Sequence, residues 1–128
     1  MMVAGLGCTR GTPSMAVLAA LDAALEAHGH TRDELALLAT VPGKHEEPGL
    51  IRAAEILGLP LAVPEDAQLN AADGRSLTRS AASQAATGLG SASEAAALAA
   101  SGPGSRLLGP RLVQDGVTCA LAISGVEA

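Results

Sequence analysis

Residues Gly5-Leu-Gly-Cys-Thr-Arg-Gly-Thr12 put two small backbone positions, a thiol, a guanidinium and a hydroxyl directly behind an apolar run of strand length. A strand, a glycine-rich turn and a helix start in that order make the junction where open α/β sheets hold acidic ligands. Gly5 and Gly7 let backbone approach a ligand, Cys8 and Gly11 belong to the same turn, and Arg10 supplies charge. Thr12-Pro13 reads as an N-cap followed by proline at the first helical position. The chemistry implied is anion binding. The spacing excludes two familiar versions of it: Arg10 stands where a dinucleotide fingerprint needs its third glycine, and neither Arg10 nor Gly11 supplies the glycine and lysine of a Walker loop.

A second group of chemistry-bearing residues is Lys44-His-Glu-Glu47. Arg10 and Lys44 together offer a planar two-pronged donor and a mobile point charge, a suitable clamp for a ligand with several carboxylates. Glu47 has two readings, the N-cap of a helix opened by Pro48, or a general base or partner of Lys44, and Glu94 invites the same pair of readings. Cys8 is either a thiol activated by Arg10 and a helix end or an inert buried residue; Cys119, among Val117, Ala120 and Leu121, reads as core. Ser91, Ser93 and Thr118 can donate hydrogen bonds to carboxylates, with capping of a helix from Ala92 as the alternative for Ser91. His28, His30 and His45 have no ligand partners at metal-site spacing, so neither a metal nor a cofactor is expected.

Composition narrows the partners. The 128 residues are 48% hydrophobic and contain no Phe, Tyr or Trp, so the core is expected to be small and aliphatic and single-stranded nucleic acid loses its stacking platform. A net charge of −5 also argues against nucleic acid. Two cysteines do not make a disulfide framework, and neither a basic leader nor an apolar run of membrane-spanning length is present, which predicts a soluble cytoplasmic protein of one domain, residues 1–128.

The elements that must position these groups follow from periodicity. Residues 2–8 read as a buried strand, and 14–28 as a helix with Val17, Leu18, Leu21, Ala24 and Leu25 on one face. Thr31 and Glu34 have capping-box spacing before a strand at Leu35–Val41, Pro48 opens a helix through Leu57, Gly58 ends it, and Pro60–Val63 is a short strand. Residues 64–87 accommodate one weak helix or a mobile loop, and Ser91–Ala100 a helix. Arg106–Val113 and Val117–Ile123 around Gln114-Asp115-Gly116 predict a terminal β-hairpin. The expected fold is α/β: a three-layer sandwich with a central, largely parallel (mixed) sheet flanked by helices.

Four segments carry a resemblance that spans nearly the whole chain: Gly5–Thr12, Lys44-His-Glu-Glu47-Pro-Gly-Leu50, Gly90-Ser-Ala-Ser-Glu94-Ala-Ala-Ala-Leu98 and Val117-Thr-Cys-Ala-Leu-Ala122. Together they resemble the cobalamin-biosynthesis family comprising CobE and the C-terminal domain of CbiG, and the short chain is most similar to the stand-alone CobE form. The resemblance implies a three-layer α/β domain acting on tetrapyrroles rich in acetate and propionate arms, with Thr12, Lys44, Glu47, Ser93, Glu94 and Thr118 at family positions. Arg111 departs from a lysine expected in the penultimate strand, and His45-Glu46 from a small-acidic pair. The leading expectation is a protein that binds an anionic tetrapyrrole or corrinoid intermediate, as a carrier or in precorrin processing. Two alternatives stand beside it: a precorrin hydrolase or rearrangement enzyme using Glu47 or Glu94, and a scaffold that contacts other cobalamin-pathway enzymes through the 92–100 helix.

Overall fold

The computed structural model describes residues 1–124. Six strands form one mixed sheet in the order β3-β2-β1-β6-β4, with β5 also paired to β6. The strands are β1 (Met2–Cys8), β2 (Leu35–Ala39), β3 (Leu61–Ala62), β4 (Arg106–Leu107), β5 (Leu112–Gln114) and β6 (Val117–Ile123). β1, β2 and β3 run parallel, as the alternation of strands and helices predicts, and β6 runs antiparallel to β1. The expected α/β sandwich is therefore the fold found.

β1 lies at the centre because its two faces are both apolar. Met2, Ala4, Leu6 and Cys8 point into a cluster with α1 (Ser14–Ala27) and α2 (Pro48–Leu57), while Val3 joins the opposite cluster with Ala95 and Ala96. That opposite layer is built by α3 (Asp66–Asp73) and α5 (Ala92–Ser101). A core without aromatic rings needs its layers close together, and Gly5 permits this: a Cβ there would collide with the Ser93 carbonyl oxygen of α5. Gly5 is thus used for helix-on-sheet packing, which removes it from the backbone positions available to a ligand.

Several boundaries differ from expectation for identifiable reasons. Residues 64–87 hold two short helices, α3 and α4 (Ala81–Thr87), rather than one. α3 buries Leu69 and Ala72 and α4 buries nothing, too little for a periodic signal; caps define them instead, a Glu65–Gln68 capping box and the Ser80 hydroxyl accepting from the Ser83 amide. The expected Arg106–Val113 strand is split into β4 and β5, because Pro110 has no N–H and the Arg111 N–H donates to Glu94 instead of to a neighbouring strand. Asp115 and Gly116, both at positive φ, then close the β5–β6 hairpin. α1 begins at Ser14 as expected, but its N-cap residue is Pro13 and not Thr12, whose hydroxyl donates to the Thr9 carbonyl instead. The Thr31–Glu34 capping box is present on a single 3₁₀ turn before β2.

Candidate functional site

Parallel strands β1 and β2 end at the same edge, and β6, running the other way, begins there. The two helical layers separate at this edge and leave a crevice of about 250 Å³. Gly7, Cys8 and Thr9 from the end of β1 and Thr118 from the start of β6 form its floor. Gly7 and Thr118 are register partners, and a Cβ on Gly7 would press on the Thr118 hydroxyl. Ser80, Ser83 and Thr87 of the α4 segment and Ala92 at the start of α5 supply one wall.

Two cations line it, Lys44 from the turn after β2 and Arg111 from the segment before β5. Lys44 is the sole lysine in the sequence. Arg10, expected to join it, lies instead on the exposed turn after β1 and is not part of the crevice lining. The reason is the turn itself: the Thr12 hydroxyl donates to the Thr9 carbonyl at 2.7 Å, the Thr9 amide donates to the Gly116 carbonyl at 3.0 Å, and Gly11 sits at positive φ. The loop is thereby wound tightly over the sheet edge. Gly49 of α2 packs so closely on the Thr12 carbonyl that no side chain fits between them.

Glu47 is the N-cap residue of α2, but its side chain makes no cap bond; its Oε1 accepts from the Gly11 amide at 3.0 Å. It therefore ties the loop after β2 to the loop after β1. Glu94 is fully buried in the first turn of α5. Its Oε1 accepts from the Leu77 and Thr78 amides at 2.7 and 2.8 Å, and its Oε2 from the Thr78 hydroxyl at 2.6 Å and the Arg111 amide at 2.8 Å. Ser91 caps α5, its hydroxyl accepting from the Glu94 amide. Ser93 is a buried residue of α5 whose hydroxyl has no hydrogen-bond partner among the described residues, and it is not part of the crevice lining.

The thiols are held protonated. Burial first, and the Glu47 carboxylate second, push Cys8 above its ordinary range, and the opposing pulls of Lys44 and the Thr12 hydroxyl do not offset them. Burial alone pushes Cys119 up to about 12. Cys8 is thus a neutral surface of the crevice floor, and the activated-thiol reading has no support in its surroundings. Among the described residues no cluster of three or more His, Cys, Asp or Glu is placed to hold a metal ion.

Sequence reasoning missed Ser83 and Thr87, and noted Arg111 only as a departure from an expected lysine, not as a site residue. Arg111 enters the crevice because β6 inserts beside β1 and carries the β5 hairpin with it, a pairing between opposite ends of the chain that no local pattern announces. The available signals were its position next to Pro110, which marks an interrupted strand, and the lysine that the family resemblance leads one to expect near that place.

The geometry has independent counterparts. The family described as Cobalamin synthesis G C-terminus matches residues 2–122. The chain belongs to that family. It is 35% identical over 121 residues to a protein named CobE from Sinorhizobium sp., covering 94% of this chain and 79% of that one. A crystal structure of CobE, described as a protein from the cobalamin (vitamin B12) biosynthetic pathway, superposes with a TM-score of 0.90 at 38% identity, covering 95% of this chain and 89% of the other. The cobalamin biosynthesis protein chiG from Agrobacterium tumefaciens superposes at 0.77 with 43% identity, covering 97% and 98%. Family membership makes this a cobalamin-biosynthesis protein, as the resemblance carried by the four segments implied.

Proposed function

We propose that the crevice receives carboxylate arms of an anionic tetrapyrrole intermediate of cobalamin biosynthesis. The observation that carries this reading is the convergence of Lys44 and Arg111, from separate segments of the chain, on one recess at the carboxyl edge of the parallel strands in a protein of net charge −5. A recess of about 250 Å³ is smaller than the roughly 300–1,000 Å³ that enclose a drug-sized ligand. A tetrapyrrole ring therefore rests across the mouth, against Ala82 and Ala92, and inserts its acetate or propionate groups. Arg111 meets one carboxylate with paired donors, Lys44 another as a point charge, and Thr118 adds a hydroxyl. Binding of this kind suits a carrier that keeps the intermediate for another enzyme of the pathway, in a reducing cytoplasm where both thiols stay free.

Titration with corrin-pathway intermediates, and with uroporphyrin as an octacarboxylic probe, tests this by ultraviolet-visible absorbance, since a chain with no Phe, Tyr or Trp adds almost nothing in the near-ultraviolet. A saturable shift with co-elution of pigment and protein is expected. Replacing both cations in K44A/R111A should weaken binding about 100-fold, the scale of two lost charge-assisted contacts, while R10A stays within about twofold. Absence of a shift with every pigment, or unchanged affinity in the double variant, overturns the proposal.

A further inference from the structure

We propose that Glu94 is the positioning residue of the crevice, holding Arg111 in the orientation that meets the ligand; the inference rests on Arg111 being an anion contact. All four of the hydrogen bonds to the Glu94 carboxylate come from donors, three backbone N–H groups and one hydroxyl. Both oxygens of the side chain are thereby engaged. None of these donors is a cationic group, and a carboxyl side chain with no exposure is costly to place in a protein interior.

Packing gives no reason to bear that cost. The following residues of α5, Ala95 to Leu98, are buried and apolar, so the sheet face is covered without Glu94. What the carboxylate joins is two chain segments that, among the described residues, make no direct hydrogen bond to each other. Leu77 and Thr78 lead into Ser80, the cap of α4 and a wall residue of the crevice. The amide of Arg111 belongs to the segment before β5, which also lines the crevice. Pro110 restricts the chain just before Arg111, and β5 begins just after it, so this N–H bond fixes the backbone position from which the side chain starts. The partial positive charge at the start of α5 assists by stabilising the carboxylate from below.

The amide variant isolates the role. In E94Q the remaining carbonyl oxygen still accepts from Leu77 and Thr78, and the new NH₂ can donate to the Thr78 hydroxyl, but it faces the Arg111 N–H donor to donor. The variant therefore frees the Arg111 segment while leaving the other anchor in place.

The test is a double-mutant cycle on uroporphyrin affinity with wild type, E94Q, R111A and E94Q/R111A, together with amide hydrogen exchange. E94Q is expected to bind about tenfold more weakly than wild type, the scale of one strong contact, and to change affinity less than about twofold when Arg111 is already alanine. Faster exchange at the Arg111 amide, with Leu77 and Thr78 still protected, is expected alongside. Equal losses in both backgrounds, or wild-type affinity in E94Q, overturn the proposal. The wild-type protein supplies a check that no folding defect can obscure: its Arg111 amide must be protected as Leu77 and Thr78 are, and free exchange there overturns the role. A wild type that binds no porphyrin overturns the anion-contact reading instead, while the exchange measurements still decide whether Glu94 holds the Arg111 segment.

Discussion

At the scale of single residues, the two acids first read as catalytic candidates have distinct surroundings. Glu94 is saturated by donors, whereas Glu47 spends one oxygen on the Gly11 amide and is close enough to Cys8 to raise its pKa. The charges around Cys8 make a signed prediction. Removing the Glu47 carboxylate in E47Q should lower the thiol pKa and speed alkylation by iodoacetamide at pH 8, and K44A should raise it and slow the reaction. The pH dependence of alkylation rate measures both; an E47Q profile displaced to higher pH would contradict this arrangement of charges. Arg10 shows why a residue type at the right place in a motif was insufficient. Its neighbours Gly11 and Thr12 wind a tight turn on which Arg10 is exposed and outside the crevice lining.

At the scale of elements, the glycines of β1 and α2 are spacers between layers. At Gly5 an alanine would strike the Ser93 carbonyl, and at Gly49 it would strike the Thr12 carbonyl. Both obstacles are backbone, which cannot swing aside. G5A should thus cost about 3 kcal/mol or more by overpacking, read as a lower urea midpoint with an unchanged slope. G49A should also displace the loop that carries Thr12, so its signature includes weaker pigment binding, and a G49A protein with wild-type stability and affinity would show that α2 is free to move. The sequence announced β1, α1, α2 and α5 because each has a long apolar face or a clear cap. It did not announce α3, α4 or the break between β4 and β5, where a few capping hydrogen bonds and one buried carboxylate replace hydrophobic periodicity as the organising force.

At the scale of the molecule, no helix among the described residues is long and apolar enough to cross a membrane. Folding here protects two thiols, and that has a consequence for stability. Since Cys119 is pushed up to about 12, the unfolded chain ionises this group first. Its contribution is complete below the ordinary thiol range and is lost as pH rises from there toward about 12, at up to about 1.4 kcal/mol per pH unit. Cys8 acts in the same direction. Urea unfolding from pH 8 upward should show this decline, reduced in C119A; an identical slope in C119A would remove the thiol from the account. The absence of tyrosine keeps phenol ionisation out of that range.

The sequence alone determined the α/β class, the aliphatic core, the parallel β1–β2–β3 half and the family, because these rest on local periodicity, caps and ordered motifs. It also placed Lys44 at the carboxyl edge, since parallel strands joined by helices put the loops after them on one side. Only the tertiary structure decided that Arg111, and not Arg10, lines the crevice with Lys44, that Gly5 lies beneath a helix, and that Glu94 ties Leu77 and Thr78 to the Arg111 amide. Each of these depends on contacts between distant parts of the chain, β6 against β1 and α5 across both, whose register is set by packing and by buried donors seeking an acceptor.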